Sequence, residues 1–342
     1  MEYIFNDVLE IKNGKNQKTV ENSEGKYPIY GSGGVIGYAD DYICDADTVI
    51  IGRKGNINNP IYVSEPFWNV DTAFGLVPKR EVLLPRYLFY FCKKYNFEKL
   101  NKTVTIPSLT KSDLLNVKME LPAIYEQQLI VDKLTRIESI INLRKHELTA
   151  LDTLIKARFV ELFGDPIINS KGLETKELNE VLALKAGDFT AASDISVEPT
   201  EINIYPCYGG NGIRGYVAEY NQEGEYSLVG RQGALSGNVQ YATGKFKNTE
   251  HALLVKPIIR MNSIWLNQLL LNLDLKRYQT GAAQPGLSVK NLQDIQIIMV
   301  PIDEQRVFAD FVHQIDKSKS AVKKALDETQ LLFDSLMQEY FG

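Results

Sequence analysis

At 342 residues the chain is longer than one ordinary domain, so two domains are expected. With 44% hydrophobic and 24% charged residues, a mean hydropathy of −0.19 and no apolar run near the roughly 18 residues of a membrane helix, the composition argues for a globular chain with a real core and against a membrane protein. The 38 basic residues face 43 acidic ones, and a net charge of −5 excludes a generally polycationic surface while leaving room for a local basic face.

Residues 1–12 hold no basic stretch followed by a long apolar one, which predicts no secretory leader. Cys44, Cys92 and Cys207 are odd in number and free of any C-x-x-C pair, so neither a disulfide framework nor a zinc site has anything to build on. A reduced, cytoplasmic setting is expected.

Along the chain, residues 1–121 are rich in Gly, Tyr and β-branched residues, with short apolar runs such as 48–51 between turn signals. Residues 84–100 read as a helix, with Pro85 in the first turn and Tyr87, Leu88, Phe91 and Tyr95 on one face. Residues 122–164 form a long helix, 165–301 a second mixed globule with a helix over 263–278, and 302–342 a second long helix.

The second half repeats the first. A shift of 178 residues lays 27–42 on 205–220 with eight of sixteen positions identical, where chance gives about one. The same shift pairs Gly52-Arg-Lys-Gly55 with Gly230-Arg-Gln-Gly233, Pro107 with Pro285, Glu126-Gln127 with Glu304-Gln305, and Phe163-Gly164 with Phe341-Gly342. Asn69 pairs with Asn248 at a shift of 179, so the register carries small gaps.

In the first long helix Ile130, Leu134, Ile137, Ile141, Arg144, Leu148, Leu151, Ile155, Arg158 and Leu162 alternate spacings of four and three. The second repeats the pattern with Phe308, Val312, Ile315, Lys319, Val322, Leu326, Thr329, Phe333, Leu336 and Tyr340. Sixteen of these twenty positions are apolar, the pattern of a coiled-coil face. One such stripe alone would stay exposed, and two like units pair most simply about a twofold axis. The predicted fold class is α+β: two mixed α/β globules separated by a pair of long antiparallel coiled-coil helices, with internal pseudo-twofold symmetry.

Two unequal heads on a rigid spacer suit a ligand with local twofold symmetry, and duplex DNA is the obvious one. In the turns 30–38 and 208–216, glycines let the backbone approach a ligand while Tyr30, Ser32, Tyr208, Asn211 and Arg214 line the bend. The same glycines also suit a tight turn between strands. Arg53, with Lys54 and Asn56, and Arg231, with Gln232, stand between glycines after an apolar strand, where arginine reads guanine edges or anchors phosphate. A solvated loop arginine is the plain alternative. Thr103, Thr105, Ser108, Gln284 and Ser288 precede the long helices and offer hydroxyls and amides to phosphates or bases, although Ser108 or Thr110 could instead cap a helix. His251, beside Glu250, reads as a structural histidine rather than a catalyst.

Signatures of chemistry are missing. No G-x-x-x-x-G-K-[ST] is present, H-x-E and H-E-x-x-H are lacking, and Asn59-Pro60-Ile61-Tyr62 lacks the second proline of a methyltransferase Asn-Pro-Pro-Tyr stretch and any cofactor loop before it. No cofactor, metal or catalytic residue is expected. An enzyme reading would make the chain a methyltransferase, and a scaffold reading would make the heads protein-binding modules, in keeping with the acidic charge.

The two Gly/Tyr turns, the stretch 121–128 leading into the first long helix, 302–305 leading into the second, and 156–166 at the first helix end, echoed by 336–342, together resemble the specificity (S) subunits of type I restriction–modification systems. The resemblance covers essentially the whole chain. It implies two target-recognition domains, 1–121 and 165–301, each reading one half of a bipartite, asymmetric double-stranded DNA sequence, with the helices setting the unspecified gap. Two methyltransferase subunits would dock along the helices and globules, and motor-nuclease subunits would join to restrict unmodified DNA, the S subunit itself being non-catalytic. At 342 residues the chain is a compact member, which leaves open a related fused methyltransferase–nuclease system.

Overall fold

The computed structural model describes residues 1–103, 106–233, 235–281 and 285–342. The chain divides into two compact units, Met1–Lys145 with Lys324–Gly342, and His146–Lys323. Each unit is a mixed globule together with part of both long helices.

In unit one, Glu2–Ile4 pairs antiparallel with Lys118–Glu120, tying the start of the globule to its end just before the first long helix. An antiparallel sheet runs in the order Leu9–Asn13, Ala73–Pro78, Thr48–Gly52, Ile61–Val63. Thr48–Gly52 is buried at every position, which is why it reads as a continuous apolar run rather than an alternating one. The hairpin Tyr27–Gly31 and Gly34–Ala39 adds Trp68–Asn69 as a parallel neighbour in a second sheet.

In unit two the corresponding sheets are one. Val239–Asn248 is ten residues long and pairs with both Gln222–Gly230 and Tyr205–Gly209. The six-stranded order is Leu182–Ala186, Ala252–Pro257, Gln222–Gly230, Val239–Asn248, Tyr205–Gly209, Gly212–Val217. Unit one breaks this strand between Val63 and Trp68, where Pro66 has no N–H to give a ladder. No proline interrupts 239–248.

The shorter helices end earlier than their apolar spacing predicts. Pro85–Lys94 stops before Asn96, whose side chain accepts from Glu98 N and opens a separate 3-10 turn, Phe97–Leu100. Ser263–Asn272 is likewise separated from Leu275–Tyr278 by Asp274, whose φ of 46° is left-handed and cannot continue a right-handed helix. Among the described residues no helix is long and apolar enough to cross a membrane.

The long helices, Ile124–Phe163 and Ile302–Phe341, run for 40 residues each. None of the twenty predicted seam positions is exposed. In unit one the helices run antiparallel: Lys133 Nζ donates to Tyr340 Oη at 2.9 Å, and the Arg144 guanidinium reaches Ala325 O and Thr329 Oγ1. Leu134, Ile137, Ile141 and Phe333 are buried there, with Ile130, Leu326, Leu336 and Tyr340 packed against them. In unit two the pairing is again antiparallel, with Lys319 Nζ 2.5 Å from Asp152 Oδ1 and, further along, the Phe159 and Phe308 ring centres 5.5 Å apart. Ile155, Phe308 and Val312 are buried, and Leu162 and Ile315 pack on them, while Leu148, Leu151 and Val322 are half-buried.

The helices also bury a second stripe that the seam pattern does not contain. Val131 and Met337 in unit one, and Phe159 and Phe163 in unit two, belong to the same cores as the globules' own residues.

The duplicated glutamine explains how a globule is fastened to its helix. Gln127 is fully buried; its Oε1 accepts from Leu84 N at 3.0 Å, and its Nε2 donates to Val82 O and Pro122 O at 2.9 and 3.0 Å. Gln305 repeats the arrangement, accepting from Asn262 N and donating to Val300 O, both at 2.8 Å. Replacing Gln127 with Leu leaves these buried backbone groups unpaired, and a loss of about 2–4 kcal/mol is expected for unit one. Urea melts in a Trp265→Phe background, followed through Trp68, measure it; a cost below about 1 kcal/mol, that of an ordinary surface change, would show the brace to be unimportant.

Candidate functional site

The three stretches singled out in each repeat are separated in sequence but joined in space by backbone hydrogen bonds. In unit one, Leu109 N donates to Arg53 O and Gly55 N to Pro107 O, both at 2.9 Å, which sets Lys54 opposite Ser108. Arg53 N donates to Thr72 O at 2.8 Å, and Val70 N to Tyr30 O at 3.0 Å, bringing in the turn after Asn69 and the Gly/Tyr hairpin. A Cβ on Gly52 would fall 2.1 Å from Asn56 O and 3.0 Å from Ser32 Cβ, so the loop and hairpin approach too closely for any side chain there.

On this frame Arg53, Lys54 and Asn56 are exposed. The Arg53 guanidinium leans back, with Nη1 donating to Asp71 O at 3.4 Å and Cζ 5.7 Å from the Phe74 ring centre. Asn13, Arg53, Phe74, Ser108, Leu109, Thr110 and Lys111 line a shallow cleft beside it. Tyr30 is half-buried with its ring edge-on to Phe67, and burial, then the Glu65 carboxylate, pushes its phenol pKa up. Ser32 is half-buried beside Gly52. Thr103 turns inward, its hydroxyl held by Asn101 Oδ1 and Ile106 O, while the same Asn101 oxygen accepts from Ser108 N at 3.1 Å. Thr110 caps Lys111–Leu115 by accepting from Asp113 N.

Unit two repeats the frame with different side chains. Leu287 N donates to Arg231 O at 2.7 Å, Gly233 N to Pro285 O at 2.9 Å, Arg231 N to His251 O at 3.0 Å and Thr249 N to Tyr208 O at 3.1 Å. Arg231 again reaches an acidic residue's carbonyl, Nη1 donating to Glu250 O at 3.4 Å, but it is half-buried and its Nε has no partner among the described residues. Gln232 Oε1 lies 2.8 Å from His251 Nδ1. Asn211 Oδ1 accepts from Asn238 Nδ2 at 3.2 Å, and Arg214 is exposed with its stem across Gly209, whose Cβ would meet Arg214 Cδ at 2.5 Å. Tyr208 sets its ring edge against Phe246. Ser288 caps Val289–Leu292, its Oγ accepting from Asn291 N at 3.2 Å, so that hydroxyl serves the helix start. Thr105 and Gln284 lie outside the described residues.

Sequence reasoning misses the loop brace Asn101 and the place in the frame of the acidic turn Asp71-Thr72 and its counterpart Glu250-His251, where His251 reads only as a structural histidine. For the acidic turn the available signal was its fixed offset from the paired Asn69 and Asn248, close to where the register slips by one, whereas Asn101 meets Gln279 or Thr280 at these shifts and leaves no such trace. Among the described residues no group of His, Cys, Asp or Glu is arranged to hold a metal ion.

Residues 2–153 and 170–329 each match the family model for the type I restriction modification DNA specificity domain. Over 147 residues the chain is 40% identical to the type I restriction enzyme EcoprrI specificity subunit of Escherichia coli, covering 43% of this chain and 37% of that one. It is 27% identical over 146 residues to a putative type I restriction enzyme specificity subunit of Haemophilus influenzae, covering 42% and 37%. The alignments thus span little more than a third of these relatives' length. Among solved structures, the fold is similar to the S subunit of a type I restriction–modification system from M. genitalium, with a TM-score of 0.68 at 19% identity over 100% of this chain and 96% of that one. A chain from a study of complex assembly and conformational transition in the type I system gives 0.58 at 18% identity, covering 100% and 97%. A family model matched once per repeat, on two globules that join the same loops by the same hydrogen bonds, establishes that the chain belongs to the type I restriction–modification DNA specificity family.

Proposed function

We propose that the chain is the non-catalytic, sequence-reading subunit of a type I restriction–modification complex, in which each globule reads one half of a bipartite, asymmetric duplex target. The long helices set the unspecified gap and dock two methyltransferase subunits, through which motor-nuclease subunits join in the cytoplasm. The observation that carries this reading is the duplicated loop frame with unequal side chains: one backbone scheme presents Arg53, Lys54 and Thr72 in unit one and Arg231, Gln232 and His251 in unit two. Equal frames suit two turns of the same duplex, and unequal side chains suit two different half-sites. Net charge is no obstacle, since a duplex meets only a local face and unit one's loops gather Arg53, Lys54 and Lys111.

The test is selection from random duplexes by the full chain with its methyltransferase subunits. A two-part motif with a constant gap is expected. No enrichment would leave a protein-binding scaffold as the better reading, and a motif obtained with a fused methyltransferase–nuclease would identify the alternative partner.

Within that motif, Arg53→Ala should relax one half-site and Arg231→Ala the other, each by about 1–3 kcal/mol if the guanidinium pairs with a guanine edge. Competition binding with half-site variants separates the two effects. Equal losses on all sequences, with a shallower salt dependence, would reassign the arginines to phosphate.

A further inference from the structure

Unit two places Glu250-His251 where unit one has Asp71-Thr72, and this puts a titratable ring inside the loop frame. Both ring nitrogens of His251 face oxygens: Gln232 Oε1 lies 2.8 Å from Nδ1, and Glu250 Oε1 lies 3.1 Å from Nε2. A carboxamide oxygen and a carboxylate oxygen only accept, so this arrangement of partners is the one that an imidazolium, with a proton on each nitrogen, would hold. The charged groups against it are Glu250 from its own turn and Arg231 from the neighbouring loop, whose guanidinium sits on Glu250 O. The hairpin meets this turn through Gly210, close to His251 O. At 38% exposure the side chain can exchange its proton with solvent.

The protonation state decides what Gln232 has left to offer. With the imidazolium, Gln232 Oε1 is occupied and its NH2, which has no partner among the described residues, can donate outward. With a neutral ring that keeps its proton on Nε2 toward Glu250, Nδ1 becomes an acceptor, and the carboxamide must turn to donate to it, leaving Oε1 to accept. A donor fits guanine O6 or N7 and thymine O4; an acceptor fits cytosine N4 or adenine N6. We propose that His251 is a specificity-determining residue whose proton selects which end of the Gln232 carboxamide meets a base, so that one position of unit two's half-site changes preference with pH. Lys54 and Thr72 stand at these places in unit one, which therefore has no such switch. The inference rests on the DNA-reading function proposed above.

The experiment repeats the duplex selection with the full chain and its methyltransferase subunits at about pH 6 and about pH 8.5, on either side of the usual histidine range. One base preference in unit two's half-site should change by about fivefold or more, the low end of a single base-edge contact, while the other half-site stays the same. His251→Ala, and Gln232→Leu at an exposed position that leaves the core intact, should each give one motif at both pH values. Two enriched half-sites with unchanged preferences in the native chain, or a switch that persists in either variant, would overturn the proposal. Failure to enrich any motif would sink the DNA-reading function itself and this inference with it. Nitrogen NMR on the chain's three histidines reads the ring directly: the same protonation state of His251 at both pH values would also overturn the proposal.

Discussion

Phe159→Ala is expected to be among the most damaging truncations in unit two, costing about 3–5 kcal/mol. Phe159 is fully buried, with ring centres of Phe163 at 5.1 Å, Phe308 at 5.5 Å and Trp265 at 6.4 Å. Its neighbours come from both long helices and from the globule's helix Ser263–Asn272, so the cavity cannot close by moving one element. A domain's whole stability is about 5–15 kcal/mol, so this loss should be visible as early unfolding of unit two. The chain holds two tryptophans, Trp68 and Trp265, and a Trp68→Phe background leaves Trp265 as the indole reporter of denaturant melts. Leu154→Ala on the same helix is the control, since Leu154 is 45% exposed and should cost less than about 1 kcal/mol. Equal losses from Phe159 and Leu154 would mean that the helix is held by its seam alone.

Phe159 also marks where the sequence stopped being legible. The repeat, the two helices and their seam could be read because each is a regular signal: an offset of 178, or a spacing of four and three. The seam takes only one stripe, whereas each helix faces both its partner and a globule. Phe159 and Met337 lie one helical turn from the seam residues Ile155 and Phe333, so the apolar face is wider than the four-and-three spacing alone describes. The short helices were overrun for a different reason: Asn96 and Asp274 end them through a side-chain hydrogen bond and a left-handed φ, neither of which disturbs apolar periodicity. At the candidate site, residue types in the arginine loops and hairpins were readable, because glycine beside arginine is a local pattern. Their meeting was not, since bonds such as Leu109 N to Arg53 O join residues 56 apart and leave no periodic trace. For the same reason the loop brace and the helix cap that the Thr103 and Ser288 hydroxyls form leave no mark in the sequence.

On the function proposed above, inserting four residues into both long helices, after Lys145 and after Lys323, should lengthen the gap between half-sites and leave both half-sites unchanged. Four residues are about one turn and add about 6 Å of axis, enough for one or two base-pair steps. Both helices must grow together. In unit one Lys133 is matched to Tyr340 and Arg144 to Thr329, and in unit two Asp152 to Lys319 and Phe159 to Phe308, so within each unit the sequence positions run in opposite directions along the pair. Lengthening one helix alone would force one of these matches out of register and move Leu134 or Ile155 off the seam. Four residues exceed a whole turn by about 40° of rotation, which a local change of helix winding absorbs. Selection with the doubly extended chain and its methyltransferase subunits reads the gap directly, and the single insertion should lose binding rather than shift it. An altered half-site with the gap unchanged would mean that the helices do not set the spacing, and that the globules fix it by contacts of their own.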